Sequence, residues 1–156
     1  THSQRMHDAL FRYVRDADAA PRWNQLYEPK SEKTIQQWGP STVVSTMVDG
    51  KRITSLTDEP SLGCPLSDVW NDVAILSPVE GERTGYPTQK PERLLARIIL
   101  ACSHPGDTVL DPYAGSGVTL RAASRLRRVA VGIDQSPVAI RVATEALARP
   151  AQMELL

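Results

Sequence analysis

Two stretches of this chain place a carboxylate at the end of an apolar run. Asp111 opens the loop 111–117 (Asp-Pro-Tyr-Ala-Gly-Ser-Gly), and Asp134 ends a later run, residues 128–134. Gly115 and Gly117 permit backbone conformations that other residues resist, so a ligand can approach the main chain closely. The N–H groups and positive dipole end of a helix beginning near Gly117 would then face a polar or negatively charged ligand group.

The elements around these residues are predicted to form a βαβ unit. Residues 108–111 are predicted to be a short buried strand, residues 118–126 a helix and residues 128–134 a second strand. A right-handed crossover makes the two strands parallel and adjacent. The glycine loop and Asp134 then converge on one pocket, where the acid can accept hydrogen bonds from ribose hydroxyls. A capping or buried Asp134 without a ligand is the alternative.

The glycine pattern differs from two common nucleotide sites. A dinucleotide fingerprint needs a third glycine, but Gly117 is followed by Val-Thr-Leu. The phosphate-loop pattern fails because no Gly-Lys-Ser/Thr follows. The pattern actually present is an aromatic-x-Gly-x-Gly loop preceded by Asp-Pro.

The two flanking helices have clear start signals. Ser136 as cap and Pro137 in the first turn predict a last helix through about residue 148. Pro91 fits the first position of an earlier helix that ends near Ser103. Its apolar residues recur at helical spacing and its charged residues take other faces; the apolar set is Leu94, Leu95, Ile98, Ile99 and Cys102, and the charged set Glu92, Arg93 and Arg97.

Thr88 and Lys90 stand just before this helix, where they could meet an anion or a carboxylate. Alternatively, Thr88 caps the helix and Lys90 is solvated.

Elsewhere the predicted elements are shorter. Ser31 is expected to cap a polar helix over residues 30–38, and Asp49-Gly50 to turn a hairpin over residues 42–56. The other expectations are a strand at 9–14, a loop at 57–66, a segment that leads into a strand at 67–76, and a charged loop at 78–85.

Three groups of residues have competing interpretations. Aromatic residues before and after the polar helix either stack on bases or anchor loops on the core; they are Trp23, Tyr27 and Trp38. Lys51 and Arg52 either contact phosphates or form a solvated hairpin tip. For the arginines near residue 125, a solvated face stabilised by the helix dipole is favoured over a DNA-binding patch; they are Arg121, Arg125, Arg127 and Arg128.

Composition limits the functional class. The 156 residues carry 18 basic and 18 acidic side chains, so the formal net charge is zero and any DNA contact must be local. Cys64 and Cys102 lack metal-ligand spacing and are expected to be buried thiols in a reducing compartment. No apolar run long enough to span a membrane and no signal peptide are visible, so a cytoplasmic protein is expected. No metal site is predicted.

Three motifs together resemble the C-terminal half of β-group DNA amino-methyltransferases; they are residues 85–95, 109–117 and 131–136. In that group the catalytic motif comes first and the cofactor motifs last. The match spans roughly residues 67–148, with weaker similarity at 7–13, 23–24 and 68–70. The resemblance implies a partial α/β fold, a Rossmann-like three-layer sandwich of the methyltransferase type with an inserted β-hairpin or recognition region.

The resemblance also implies S-adenosylmethionine as cofactor. Thr88, Gln89 and Lys90 would lie near its methionine part, Asp134 and Gln135 near its ribose. The glycine-loop residues would hold the methionine and sugar region; they are Asp111, Pro112, Tyr113, Gly115, Ser116 and Gly117. Tyr113 stands where the family usually has Phe, a change that keeps the ring.

By the same resemblance the chain divides into three parts. Residues 1–23 would end the sheet of the catalytic half, residues 24–66 would be the target-recognition insert, and residues 67–156 the S-adenosylmethionine-binding subdomain.

The chain departs from the family in one respect. Members use Asp/Asn/Ser-Pro-Pro-aromatic to bind the exocyclic amine of a flipped base, and this sequence contains no Pro-Pro pair. No catalytic residue is therefore assigned. The catalytic segment is expected upstream of Thr1 or on another chain, and the isolated chain is predicted to be inactive.

The expected substrate is double-stranded DNA, methylated at adenine N6 or cytosine N4. An exposed sheet edge would favour a partner chain or a homodimer. Two alternatives remain open: a non-catalytic subunit completed by another chain, and a methyltransferase acting on RNA or a small molecule.

Overall fold

The computed structural model describes residues 8–18, 22–73 and 83–148. Its helices are α1 Glu32–Trp38, α2 Glu92–Cys102, α3 Val118–Arg125 and α4 Pro137–Ala148. Its strands are β1 Tyr27–Glu28, β2 Ser41–Val48, β3 Lys51–Pro60, β4 Cys64–Pro65, β5 Thr108–Asp111 and β6 Val129–Gly132. In these ranges the strands pair as β1 with β4, β2 with β3 and β5 with β6.

The predicted βαβ unit is confirmed. Strands β5 and β6 are parallel, with Thr108 opposite Val129 and Asp111 opposite Gly132, and α3 connects them. The fold is mixed α/β and corresponds to part of a Rossmann-like sandwich. Helices cover one face of this small sheet, where Val109 and Ala130 pack against the core.

The other face of the β5–β6 sheet is open. Leu110 is 57% exposed, Val129 54% and Val131 41%. The prediction that β5 is a buried strand was therefore wrong, because no element in the described ranges packs on that face. The described residues form two layers of the predicted three.

Small side chains form the core between α2, α3 and the sheet. Ala96, Ala122 and Ala123 are fully buried and pack with Ile99. A Cβ at Gly132 would lie 2.5 Å from Leu120 Cδ1, so this glycine lets α3 approach β6 closely. The dinucleotide fingerprint has a third glycine for close packing of helix on strand, which this loop lacks. Here Gly132, in the neighbouring strand β6, allows that close packing.

A buried ion cluster joins α2 to α3. Glu92, only 1% exposed, accepts hydrogen bonds from Arg121 Nε at 2.7 Å and from Arg125 at 2.8 Å. The two arginines were expected on a solvated face, and that prediction was wrong. Because alanines bring the two helices close together, the long side chains lie across the interface, where the carboxylate pairs with both guanidinium groups.

The C-terminal end of α2 is bound by two polar side chains. Asn24 donates from Nδ2 to the carbonyl oxygens of Leu100 at 2.7 Å and Ser103 at 2.8 Å. Arg128, also buried rather than solvated, donates to Ser103 O at 2.7 Å and to its hydroxyl at 3.0 Å. These bonds satisfy carbonyl groups that have no partner inside the helix.

Residues 67–73 are held by side chains rather than by strand pairing. Arg97 donates to both oxygens of Asp72 at 2.9 and 2.6 Å, and its guanidinium lies 5.1 Å from the ring centre of Trp70. This bond to Arg97 is the main reason that the pKa of Asp72 falls to about 2. The strand predicted at 67–76 is absent from 67–73, and its remainder lies outside the described residues, as do residues 78–82 of the predicted charged loop.

The strand predicted at residues 9–14 is also absent. Phe11 is 78% and Tyr13 86% exposed, and no described strand pairs with this segment. Its apolar residues were therefore not sufficient for a strand, since a strand needs a neighbour for its backbone hydrogen bonds.

The short helix and the hairpin are confirmed. Ser31 caps α1 by accepting a hydrogen bond from Thr34 N at 3.2 Å. Asp49 and Gly50 both have positive φ, 49° and 74°, as a tight hairpin turn requires. Pairing continues beyond the predicted arms, because β3 extends to Pro60 and β4 lies within the predicted loop 57–66.

Cys64 and Cys102 are free thiols that are half-buried rather than buried. Within the described ranges, no helix is both long and apolar enough to cross a membrane.

Replacing Glu92 by Ala should lower the free energy of unfolding by about 3–5 kcal/mol, because two arginines would remain buried without their anion. Urea denaturation followed by circular dichroism measures this change. Glu145→Ala, on the exposed surface of α4, is the matched control and should change stability by less than about 0.5 kcal/mol. Equal unfolding midpoints for the two variants would show that the cluster does not stabilise the fold.

Candidate cofactor site

A cleft of about 660 Å³ lies at the carboxyl ends of β5 and β6. Three segments line it: the turn before α2, the glycine loop, and residues 133–135. The structure brings together here every predicted cofactor residue except Gly117, namely Thr88, Gln89, Lys90, Asp111, Pro112, Tyr113, Gly115, Ser116, Asp134 and Gln135.

Asp134 joins the glycine loop to the end of β6. Its Oδ2 accepts a hydrogen bond from Gly115 N at 2.8 Å, and its Oδ1 accepts one from Ser136 N at 2.9 Å. The N–H groups of Ser136 first and Gly115 second hold the pKa of Asp134 below its usual value. Asp134 therefore does cap the following turn, as the alternative interpretation held. A carboxylate offers about four acceptor positions, so these bonds leave capacity for a ligand hydroxyl.

Asp111 shapes the start of the loop. Its Oδ1 accepts a hydrogen bond from Tyr113 N at 3.0 Å, and its backbone carbonyl accepts one from Ile133 N at 2.9 Å. Ala114 N donates in turn to Ile133 O at 2.9 Å. These bonds continue the β5–β6 pairing into the loop and leave the ring of Tyr113 86% exposed.

The two loop glycines have different tasks. Gly115 has φ 49°, and a Cβ there would lie 3.2 Å from Tyr86 Cε1, so the ring of Tyr86 lies against the loop. Gly117 has φ 74° and precedes α3 as its N-cap; a Cβ there would lie 2.7 Å from Ala143 Cα. Gly117 is thus buried at the contact between α3 and α4 instead of lining the cleft.

The N-terminal end of α3 faces the cleft. Val118 and Thr119, in the first turn, line it, and no side-chain cap hydrogen bond is made at Gly117 among the described residues. The first N–H groups of a helix have no partner inside the helix. They are suited to a polar or negatively charged ligand group.

Residues 84–90 form the opposite wall as a closed turn. Gln89 Oε1 accepts hydrogen bonds from both the N–H and the hydroxyl of Thr84, each at 2.8 Å. Thr88 has φ 60°, which is uncommon for a β-branched residue and marks local strain of the kind that clusters at functional sites.

The alternative roles of Thr88 and Lys90 have different outcomes. Thr88 does not cap α2, because the N-cap is Pro91 and Thr88 Oγ1 donates to Pro87 O at 2.6 Å. Lys90 lies on the cleft with an exposed side chain, and its Nζ is 3.8 Å from Asp8 Oδ2.

Tyr86 and Thr84 were not predicted from the sequence to be site residues. Tyr86 lines the cleft and contacts the glycine loop, whereas Thr84 holds Gln89. Their position just before residues 87–91 (Pro-Thr-Gln-Lys-Pro) could have indicated them, because a turn that forms the wall of a cleft needs neighbouring residues to hold it closed.

Replacing Gly117 by Ala should destabilise the fold by about 1–3 kcal/mol more than replacing Gly106 by Ala, because the added methyl group overpacks the contact with α4. Both glycines have positive φ, but a Cβ at Gly106 would meet nothing within 4 Å. The control therefore has the backbone strain without the collision. Urea denaturation measures both variants, and equal losses would contradict the packing role of Gly117.

The chain is similar to known DNA methylases. The family model described as DNA methylase (N6_N4_Mtase) matches residues 2–145. The chain is 34% identical over 122 residues to the Type II methyltransferase M2.DpnII of Streptococcus pneumoniae, covering 78% of this chain and 40% of that protein. It is 43% identical over 86 residues to the Type II methyltransferase M.EcaI of Enterobacter cloacae, covering 55% of this chain and 19% of that protein.

Among solved structures, the M1.HpyAVI–SAM complex matches 39% of this chain and 32% of its own at 39% identity, with a TM-score of 0.39. The chain thus spans between about a fifth and two fifths of the curated relatives' length. The resemblance to DNA amino-methyltransferases is confirmed by the family match and by these relatives. Because the match covers nearly the whole chain, this protein belongs to the N6/N4 DNA methylase family.

Proposed function

We propose that the cleft binds S-adenosylmethionine and that this chain is the cofactor-binding part of a DNA methyltransferase. The enzyme would act on an exocyclic amino group, adenine N6 or cytosine N4. The observation that carries the proposal is the hydrogen bond between Gly115 N and Asp134, which closes the glycine loop onto the second strand and places both on one cleft with residues 86–90.

The chemistry of the cleft fits this cofactor. Its volume lies in the usual range of small-molecule sites, about 300–1,000 Å³. Asp134 can accept hydrogen bonds from ribose hydroxyls, and Lys90 and the N-terminal end of α3 can receive a carboxylate. Tyr86 and Leu95 supply apolar surface. When bound, S-adenosylmethionine would supply the activated methyl group.

The residues that hold the target amine are proposed to lie outside this chain. The sequence contains no Pro-Pro pair, so no residue here is assigned to catalysis. Residues 67–156 would then be the cofactor subdomain, residues 24–66 the recognition insert and residues 1–23 the end of the catalytic half's sheet. The substrate would be duplex DNA in the cytoplasm.

A second candidate is a non-catalytic subunit completed by another chain. The open apolar face of the β5–β6 sheet favours it, because such a face needs a cover. A homodimer would meet the same need. RNA or a small molecule as substrate remains an alternative, which a substrate panel would distinguish.

Titration calorimetry with S-adenosylmethionine tests the cofactor site. The wild-type chain should bind saturably, and Asp134→Ala should weaken binding by about tenfold or more, because the ligand loses an acceptor and the glycine loop loses its anchor. Asp58→Ala, an exposed carboxylate on β3, should bind like wild type. A folded chain with no saturable heat, or equal binding by the Asp134 variant, would refute this assignment.

Methyl transfer to plasmid DNA tests whether the catalytic residues lie outside this chain. The isolated chain should incorporate no methyl groups above a protein-free blank, because it lacks the residues that hold the amine. Activity should appear when a protein carrying the Pro-Pro motif is added. Methylation by the chain alone would contradict the proposed absence of a catalytic centre.

A further inference from the structure

Glu92 is a buried carboxylate outside the cleft. Its side chain is 1% exposed and does not line the cleft wall. Taking an ionised carboxylate out of water is costly, and apolar residues of similar volume in place of a buried ion cluster often give a fold that is equally stable or more stable. The stability of the fold alone therefore does not account for a carboxylate at this position.

The ion pairs of Glu92 join the two segments that form opposite walls of the cleft. Glu92 is the first residue of α2 and follows the turn 84–90 after a single proline. Arg121 is the fourth residue of α3, which begins directly after the glycine loop. The turn and the loop are thus connected, just behind the cleft, through one carboxylate and one guanidinium group.

The geometry of these ion pairs is directional. Arg121 Nε donates to Glu92 Oε2 at 2.7 Å, and Arg121 Nη2 lies 2.7 Å from the same oxygen. Arg125 Nη1 donates to the other oxygen, Oε1, at 2.8 Å. Charge-assisted bonds from a planar guanidinium group add geometric specificity to the attraction between the charges. Both oxygens of the carboxylate are therefore fixed relative to α3.

Apolar packing between α2 and α3 gives less directional control. The buried contact is made by Ala96, Ala122 and Ala123 with Ile99 as the large residue. Interlocking ridges and grooves of side chains set how two helices cross, and alanines form only shallow ridges. We infer that the ion pairs, rather than the alanines, resist sliding of one helix along the other and so fix the two cleft walls.

The two ends of the cleft depend on this connection to different degrees. Asp134 is held by the N–H groups of Gly115 and Ser136, without any contribution from Glu92. Lys90 and the N-terminal end of α3 belong to the two walls that Glu92 and Arg121 connect. A ligand group that needs both walls depends on their separation, whereas a ribose at Asp134 does not.

We propose that Glu92, together with Arg121 and Arg125, is a positioning residue that sets the affinity of the cleft for the amino-acid end of its cofactor. The inference rests on the proposed function in taking S-adenosylmethionine as the ligand. The three side chains act by holding the turn and the glycine loop at the separation that the amino-acid end requires. Walls that are fixed before binding raise affinity because the ligand does not have to order them.

Calorimetry with three ligands tests the inference. S-adenosylmethionine and S-adenosylhomocysteine carry the amino-acid end, whereas methylthioadenosine has the same nucleoside and lacks that end. Glu92→Gln keeps the shape of the side chain and removes its charge. It should weaken the two longer ligands by about tenfold or more and methylthioadenosine by less than about twofold. A general loosening of the fold would weaken all three ligands alike.

Asp72→Asn is the matched control, because it makes the same change from carboxylate to amide at a second ion pair of α2. Its partner Arg97 is 4% exposed and lies further along the helix. This pair does not join the walls of the cleft. Asp72→Asn should therefore change the affinity for every ligand by less than about twofold, since the two sites share no partner.

An apolar variant separates positioning from stability and from charge. Glu92→Leu with Arg121→Met and Arg125→Met should unfold in urea at a midpoint equal to or above that of Glu92→Gln. It should nevertheless bind S-adenosylmethionine as weakly as Glu92→Gln does. The formal charge of these three side chains, +1 in the wild type, becomes +2 in Glu92→Gln and zero in the apolar variant. A purely electrostatic effect would therefore shift the affinity in opposite directions in the two variants.

Three results would overturn the inference: wild-type affinity in the apolar variant, equal weakening of all three ligands by Glu92→Gln, or the same loss in Asp72→Asn. Hydrogen exchange of the ligand-free proteins separates its failure from that of the proposed function. Backbone amides of residues 84–90 and 113–117 should exchange faster in Glu92→Gln than in Asp72→Asn. If the wild type binds no S-adenosylmethionine but this difference appears, the cofactor assignment fails and the positioning of the walls is supported. If the wild type binds it and Glu92→Gln binds all three ligands equally well, the positioning inference alone fails.

Discussion

The largest fully buried side chain in the described structure is a carboxylate, Glu92. Around it the core consists mainly of alanines, which bring helices close together but bury little apolar area each. The ion pairs from Glu92 to Arg121 and Arg125 therefore connect α2 and α3 where hydrophobic burial is small. A buried ion pair contributes little net stability compared with apolar residues of the same shape, but losing one partner is costly. The cluster is thus a constraint on how the two helices meet.

This constraint reaches the cleft directly. Glu92 is the first residue of α2, immediately after the turn that forms one wall, and Arg121 lies in the fourth position of α3, immediately after the glycine loop. Joining these two residues holds the two walls at a set separation. The bond from Gly115 to Asp134 then holds the loop against the second strand. Two carboxylates, one buried and one on the cleft, together position the candidate cofactor site.

The β2–β3 hairpin is attached differently from the elements that line the cleft. The β1–β4 pair and the bond from Lys30 Nζ to Ser41 O lie at its base, and both of its faces are exposed. The walls of the cleft, in contrast, are fixed to one another by hydrogen bonds and packed helices. The exposed faces of the hairpin and of the β5–β6 sheet differ in composition. The hairpin mixes polar residues with apolar ones such as Met47, Ile53 and Leu56, whereas the sheet exposes Leu110, Val129 and Val131.

Local chemistry in the sequence was enough to predict several features correctly. The glycine loop, the parallel strands, the Ser31 cap and the Asp49-Gly50 turn each depend on a few neighbouring residues whose backbone preferences agree. Tertiary structure decided the rest. Arg121 and Arg128 became buried because α2 presents Glu92 and its C-terminal carbonyl groups to them, which no spacing in the sequence reveals. Residues 9–14 are rich in apolar side chains, but no strand in the described ranges pairs with them. Gly117 packs against Ala143, which is distant in the chain. Periodicity shows which residues can share a face, whereas only the packed elements decide what covers that face.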